Sequence, residues 1–312
     1  MTIHSTASSS SRANPSHVAT ALLAAAMVLA ALPVFAAGSP GGPGSGHPGP
    51  GNPGSGAHGR LLPLLPDGTP VEPSTWREES TESTEILDGG RWTWELGLVG
   101  GSWDRAEGLN SSSVEWAHAE LRRGLGAGLE FGAAVESWDR GSVREGDLAS
   151  SVQESGYGPT TLDVRRRLND AGSSGARACA GVRVRLPGAV DGPGAHVAEG
   201  GVFLPVTFPL DAGTNLGTML EANIVQDALD SGRHVEGVSS LELSHEFTSR
   251  LSGRAEVVGV WYGEPGRPLL GVVDTGVSID PVPHVGLTIG ATGGLSGSTA
   301  ELGWFGRLSV HP

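Results

Sequence analysis

The stretch Cys179-Ala180-Gly181-Val182-Arg183-Val184-Arg185-Leu186-Pro187 decides the fold. Val182, Val184 and Leu186 alternate with Arg183 and Arg185. Side chains of a β-strand point to opposite faces in turn, so this segment has one apolar face and one strongly basic face. The same period recurs through the chain. Trp92, Trp94, Leu96 and Leu98 alternate with Thr93, Glu95 and Gly97, and Leu129, Phe131, Ala133 and Val135 alternate with Glu130, Gly132 and Glu136, Ala134 excepted. Leu241 and Leu243 flank Glu242, and Val285, Leu287, Ile289 and Ala291 alternate with Gly286, Thr288 and Gly290. Helical periodicity is almost absent after residue 90.

Two all-β architectures share this alternation. A soluble sandwich turns the apolar face inward. A transmembrane barrel turns it outward to lipid and lines its interior with the polar face. The barrel is favoured by long strands, by charge crowded on the polar face, and by Trp103, Trp138 and Trp261 near strand ends, where an interfacial girdle would lie. Boundaries fall at 91–104, 113–123, 127–138, 160–169, 176–186, 200–209, 215–226, 235–247, 253–263, 269–279, 284–292 and 299–310. That is an antiparallel transmembrane β-barrel of about twelve strands, an even number as single-chain bacterial barrels have. Gaps after even-numbered strands are short. Two after odd-numbered strands, Asp139–Pro159 and Pro187–Glu199, are long. Short periplasmic turns and longer outer loops follow the outer-membrane pattern, and the first strand then leaves from the periplasmic side.

Composition narrows the function classes. The 312 residues carry 20 Lys+Arg, all Arg, against 34 Asp+Glu, a formal charge of -14. An acidic chain without a polybasic run is a poor partner for nucleic acid. One cysteine, Cys179, excludes an intrachain disulfide and multi-Cys metal sites.

Residues 1–36 read as a signal peptide: a polar start, the apolar Ala21–Leu32, then Val34 and Ala36 at the small-residue positions of a cleavage site. Residues 37–85 read as a disordered periplasmic tether, Gly/Pro/Ser-rich over Gly38–Gly59 and acidic over Asp67–Glu85. The barrel occupies residues 86–312. The tether is also a candidate to fill the barrel from below.

Cys179–Pro312 resembles the outer-membrane transporter family of the phenol-degradation (meta-pathway) type. The features that carry the resemblance are Gly181–Pro187, a strand ending in Leu-Pro before a long loop; Phe208–Gly217 with its Asp-Ala-Gly-Thr-Asn turn; Phe247–Glu256; Val273–Val277; and the Gly-rich Gly290–Leu308. The resemblance implies barrels linked to uptake of small, often aromatic or apolar compounds.

The expected function is an outer-membrane channel for passive or weakly selective passage of small solutes. It needs no enzyme chemistry and no cofactor. Its partners are outer-membrane lipid, the solute and the barrel assembly machinery. Alternatives are a lipid- or lipopolysaccharide-modifying hydrolase, needing a Ser, a His and an acid brought together at one rim, and a secreted soluble sandwich. The lumen-facing candidates are Asp163, Arg165 and Arg167 on the fourth strand, Arg183 and Arg185 on the fifth, and Glu242 and Asp274 on later ones. Such charges set pore selectivity through their local field, or pair across the lumen and hold its shape. Arg166 falls on the lipid side, where it is tolerated only near an interface. No histidine spacing suggests a metal site.

Overall fold

The computed structural model describes residues 81–311 apart from 107–108, 117, 136–137, 146–150, 170–174, 189–196, 228–231, 264–268 and 297–301. The expected signal peptide and nearly all of the expected tether lie outside the described residues.

Fifteen strand segments form one antiparallel sheet: β1 (Trp92–Ala106), β2 (Leu109–Trp116), β3 (Ala119–Gly126), β4 (Leu129–Val135), β5 (Trp138–Glu145), β6 (Ser151–Tyr157), β7 (Thr160–Arg167), β8 (Arg177–Leu186), β9 (Glu199–Pro209), β10 (Thr214–Gln226), β11 (Arg233–Thr248), β12 (Leu251–Tyr262), β13 (Leu270–Val282), β14 (Val285–Gly294) and β15 (Leu302–Val310). Three pairs are single staves with a break. β1 meets β3 along its first half and β2 along its second, so β2 continues into β3. By the same test β5 prolongs β4, and β6 runs into β7. Twelve staves result. Pairing of β1 with β15, from Trp94↔Val310 to Trp103↔Leu302, closes them into a barrel.

The faces are inverted relative to a soluble protein. Leu98, Val182, Val202, Leu220, Ile224, Ile289 and Trp304 are each at least half exposed. Glu130, Arg165, Glu256 and Asp274 are at most 1% exposed. A water-soluble sandwich could not leave so many large apolar side chains in solvent while sealing charges within. The soluble alternative is therefore overturned, and the outer belt is a lipid-facing surface. Trp92 and Trp94 lie edge to face at 5.8 Å where β1 begins, Trp103 is exposed toward its other end, and Trp116 is exposed level with Val99. Arg166 points outward one residue before β7 ends, so its guanidinium meets the rim of the bilayer rather than its midplane.

One expectation needs correcting. Most of the expected loop Asp139–Pro159 is strand, because β5 and β6 pair with each other and β5 with β2, and so prolong the barrel wall. Their sequences, such as Asp139-Arg140-Gly141-Ser142, are polar on both faces. The sequence carries no apolar alternation there, although the backbone ladder with β2 continues.

Candidate functional site: a segment held by ions inside the barrel

The interior is filled in part by the chain's own Thr81–Arg91. This segment has no regular structure, and it runs down the lumen to the periplasmic rim before reversing into β1. At the rim the Gly90 amide donates to the Gly124 carbonyl at 2.8 Å, and the Gly124 amide to the Arg91 carbonyl at 2.9 Å. Only glycine fits at 124, since a Cβ there would lie 2.1 Å from the Asp88 carbonyl oxygen. Higher up, the Leu87 amide donates to Glu130 Oε2 at 2.8 Å. Glu130 is fixed by Arg122, whose Nε lies 2.7 Å and Nη2 2.6 Å from its Oε1. Arg167 Nη2 donates to the Ile86 carbonyl and Arg122 Nη2 to the Glu85 carbonyl, both at 2.8 Å.

The centre of the site is Glu82. Its Oε1 lies 2.7 Å from Arg183 Nη2 and its Oε2 3.0 Å from Arg165 Nη1. Asp163 pairs with Arg183 in the ladder between β7 and β8, which fixes Arg165 and Arg183 on adjacent staves. Each guanidinium also has a carboxylate on the wall. Arg165 Nε is 2.6 Å from Asp163 Oδ1 and its Nη2 is 3.5 Å from Glu120, while Arg183 Nη1 is 3.2 Å from Glu221. The ring of Phe203 backs both, 4.4 Å from the Arg183 guanidinium carbon and 5.6 Å from that of Arg165. That ring lies against Gly181, its ladder partner, where a Cβ would collide with it.

Above Glu82 the segment reaches Glu256 at about the middle of β12. The Thr81 amide and hydroxyl both donate to Glu256 Oε1 at 2.6 Å, and Thr81 Oγ1 also meets Ser240 Oγ. Ser83 places its carbonyl over the Cys179 thiol at 3.9 Å, and Thr84 Oγ1 donates to Thr207 Oγ1 at 3.0 Å.

The seven residues singled out in the sequence fall into three groups. Arg165, Arg167 and Arg183 contact the inner segment directly, and Asp163 holds Arg165 in place. Arg185 lies on the same inner face of β8, 3.6 Å from Glu199. Glu242 and Asp274 flank Arg254 at 3.8 and 3.4 Å, beside the Phe305 ring. Sequence reasoning missed Glu82, Glu120, Glu130 and Phe203 as members of the site. It also missed an apolar stretch of inner wall, where Val258, Val260 and Leu270 cluster with Val238 and Tyr262. In Glu256-Val257-Val258-Gly259-Val260 both faces carry valine, so alternation names neither as inner.

The histidines with described bonds have local partners: His245 Nδ1 with Thr214 Oγ1 at 2.8 Å, His234 Nδ1 with Asp227 Oδ1 at 2.6 Å, and His284 Nδ1 with the His311 carbonyl at 2.7 Å. Among the described residues no cluster of His, Cys, Asp and Glu suits a metal ion.

Compared with solved structures, the chain resembles the COG4313 outer membrane channel from Pseudomonas putida F1, with a TM-score of 0.59 at 15% identity over 75% of this chain and 100% of that one. The two share a fold. The transport unit of the autotransporter AIDA-I from Escherichia coli gives a TM-score of 0.49 at 10% identity, covering 77% of this chain and 94% of its own. The NanC porin gives 0.45 at 9% identity, covering 69% and 98%. No protein-family model matches the chain, and no curated protein matches it.

Proposed function

We propose that this protein is an outer-membrane channel for small solutes, closed in the described state by Thr81–Gly90. The observation that carries the reading is the lumen itself. A closed barrel has a charged interior, and its filling is an irregular segment tied to the wall by side-chain contacts instead of a packed core. Such a filling can be displaced without breaking any ladder between staves. The fold shared with an outer-membrane channel supports the same reading. Lipid is the partner of the outer belt, and a chain of this kind reaches its membrane through the barrel assembly machinery. The Val258–Val260–Leu270 wall favours solutes with an apolar part. This agrees with the resemblance to the phenol-degradation type, whose aromatic and apolar solutes we extend to this chain. Arg165, Arg167, Arg183, Arg185, Asp163, Glu242 and Asp274 act as lumen charges that set the local field.

The test is planar-bilayer conductance of the refolded chain from Ala37 onward. The parent is expected to conduct in rare, small steps, and a variant with Thr81–Gly90 deleted to conduct in frequent, larger ones. A deletion variant that folds and stays silent would refute the channel reading.

A further inference from the structure

We infer that Arg165, Arg183 and Phe203 form a binding site for organic carboxylates. Glu82 fills it as a tethered ligand, and a free carboxylate bearing an apolar body opens the lumen by exchange with Glu82. The inference rests on the channel reading and names the solute class for it.

Three observations carry it. First, the two oxygens of Glu82 are divided between two guanidinium groups, at 2.7 and 3.0 Å. Charge-assisted contacts to two cations are how a protein holds a carboxylate ligand, and the wall does not need this one. Arg183 keeps Glu221 and Arg165 keeps Asp163 when Glu82 departs, so the arginines remain placed and their field turns more positive.

Second, the site is built to be rigid while its occupant is not. Phe203 is 2% exposed, is seated on Gly181 and backs both guanidinium groups. Glu82 sits on a segment with no strand pairing, so among the described residues its release is opposed by side-chain contacts and a few backbone hydrogen bonds at the rim.

Third, the surface beside the charges is apolar. Cys179 lies on the inner face of β8, next to Gly181, while Pro205 and Met219 pair across β9 and β10 next to Phe203 and Glu221. All three are buried. Ser83 lies over Cys179. When the segment leaves, a carboxylate on the arginines would lay its body on this surface. An aryl or short alkyl carboxylate matches both halves, and a neutral aromatic matches only one.

Cys179, the single cysteine of the chain, gives the readout, because it has no exposed surface while the segment is in place. The experiment measures its labelling rate with a small thiol reagent in the refolded full chain. Sodium benzoate, sodium hexanoate, benzyl alcohol and sodium chloride are compared at matched ionic strength. Both carboxylates are expected to raise the rate about tenfold, equivalent to about 1.4 kcal/mol. Benzyl alcohol and chloride should leave it unchanged. Glu82→Gln should raise the basal rate without any carboxylate. Arg183→Gln should remove the response to benzoate.

Equal acceleration by benzyl alcohol or chloride would overturn the site, since partition or screening would then suffice. So would the absence of a carboxylate response in a parent whose Glu82→Gln variant labels fast. That last result leaves the channel reading standing, because conductance of the deletion variant decides it separately.

Discussion

Replacing Arg165 with glutamine tests how the lumen is held. Arg165 is 1% exposed and has four carboxylates within reach: Asp163 at 2.6 Å, Glu82 at 3.0 Å, Glu120 at 3.5 Å and Glu130 at 3.9 Å. At an effective dielectric constant of about 20, unit charges about 4 Å apart interact by about 4 kcal/mol. Removing one member of a buried pair costs about 3–5 kcal/mol, since the remaining charge keeps its desolvation without its partner. Glu130 retains Arg122 and Glu82 retains Arg183 on one oxygen, so the strain falls on Asp163, Glu120 and the second oxygen of Glu82. Asp163 and Glu120 are fixed to strands by the ladder, and Glu82 is the one that can withdraw. Arg165→Gln should therefore release the segment more than it weakens the barrel. A bias of about 3 kcal/mol raises the ratio of open to closed states by roughly a hundredfold.

Single-channel recording reads that ratio, and thermal unfolding in detergent reads the barrel. Adding Glu82→Gln should relieve part of the repulsion, giving a coupling of about 1.5–3 kcal/mol between the two positions, as for a hydrogen bond to a charged group. If Arg165→Gln instead lowers the unfolding midpoint while conductance stays at the parental level, Arg165 serves the wall and the reasoning is refuted.

Three further outcomes are expected. Gly124→Ala should press against the Asp88 carbonyl and loosen the segment at the rim by about 1–3 kcal/mol, seen as faster proteolysis before Trp92 with the barrel intact. Val182→Arg, on an outward site 55% exposed in mid-strand, should cost about 2–4 kcal/mol of stability in bilayers, whereas Arg166→Leu at the rim should change it by less than about 1 kcal/mol. Glu85→Gln should change segment release by less than about 1 kcal/mol in the conductance assay, because its contact with Arg177 lies in solvent.

The barrel was legible because lipid and lumen impose opposite demands on neighbouring residues. Val182-Arg183-Val184-Arg185 satisfies both, and register follows from it. Where only one demand acts, the signal fades. In β5 and β6 both faces carry polar residues, and in Val257-Val258 both faces are apolar, so strand and inner wall respectively went unread. The inner segment was harder still. Thr81-Glu82-Ser83-Thr84-Glu85 has the composition of a linker, and its partners Arg165, Arg183 and Glu256 lie far along the chain. Nothing local distinguishes a carboxylate waiting for water from one waiting for a guanidinium. A faint cue existed in Arg165, Arg167, Arg183 and Arg185, a run of inward cations that a buried lumen requires to be matched.

The seam between β1 and β15 bears on assembly order. It joins the first and last strands of the barrel, as in Trp94↔Val310, and Thr81 reaches Glu256 across a separation of 175 positions. Contacts of such high contact order cannot form until nearly all of the chain is present, and loop closure makes them slow. The seam and the filling therefore form late. An unclosed barrel exposes two strand edges, with an acidic arm attached directly to one of them. Closing the barrel and filling its interior thus become competing late events, both waiting on the final hairpin.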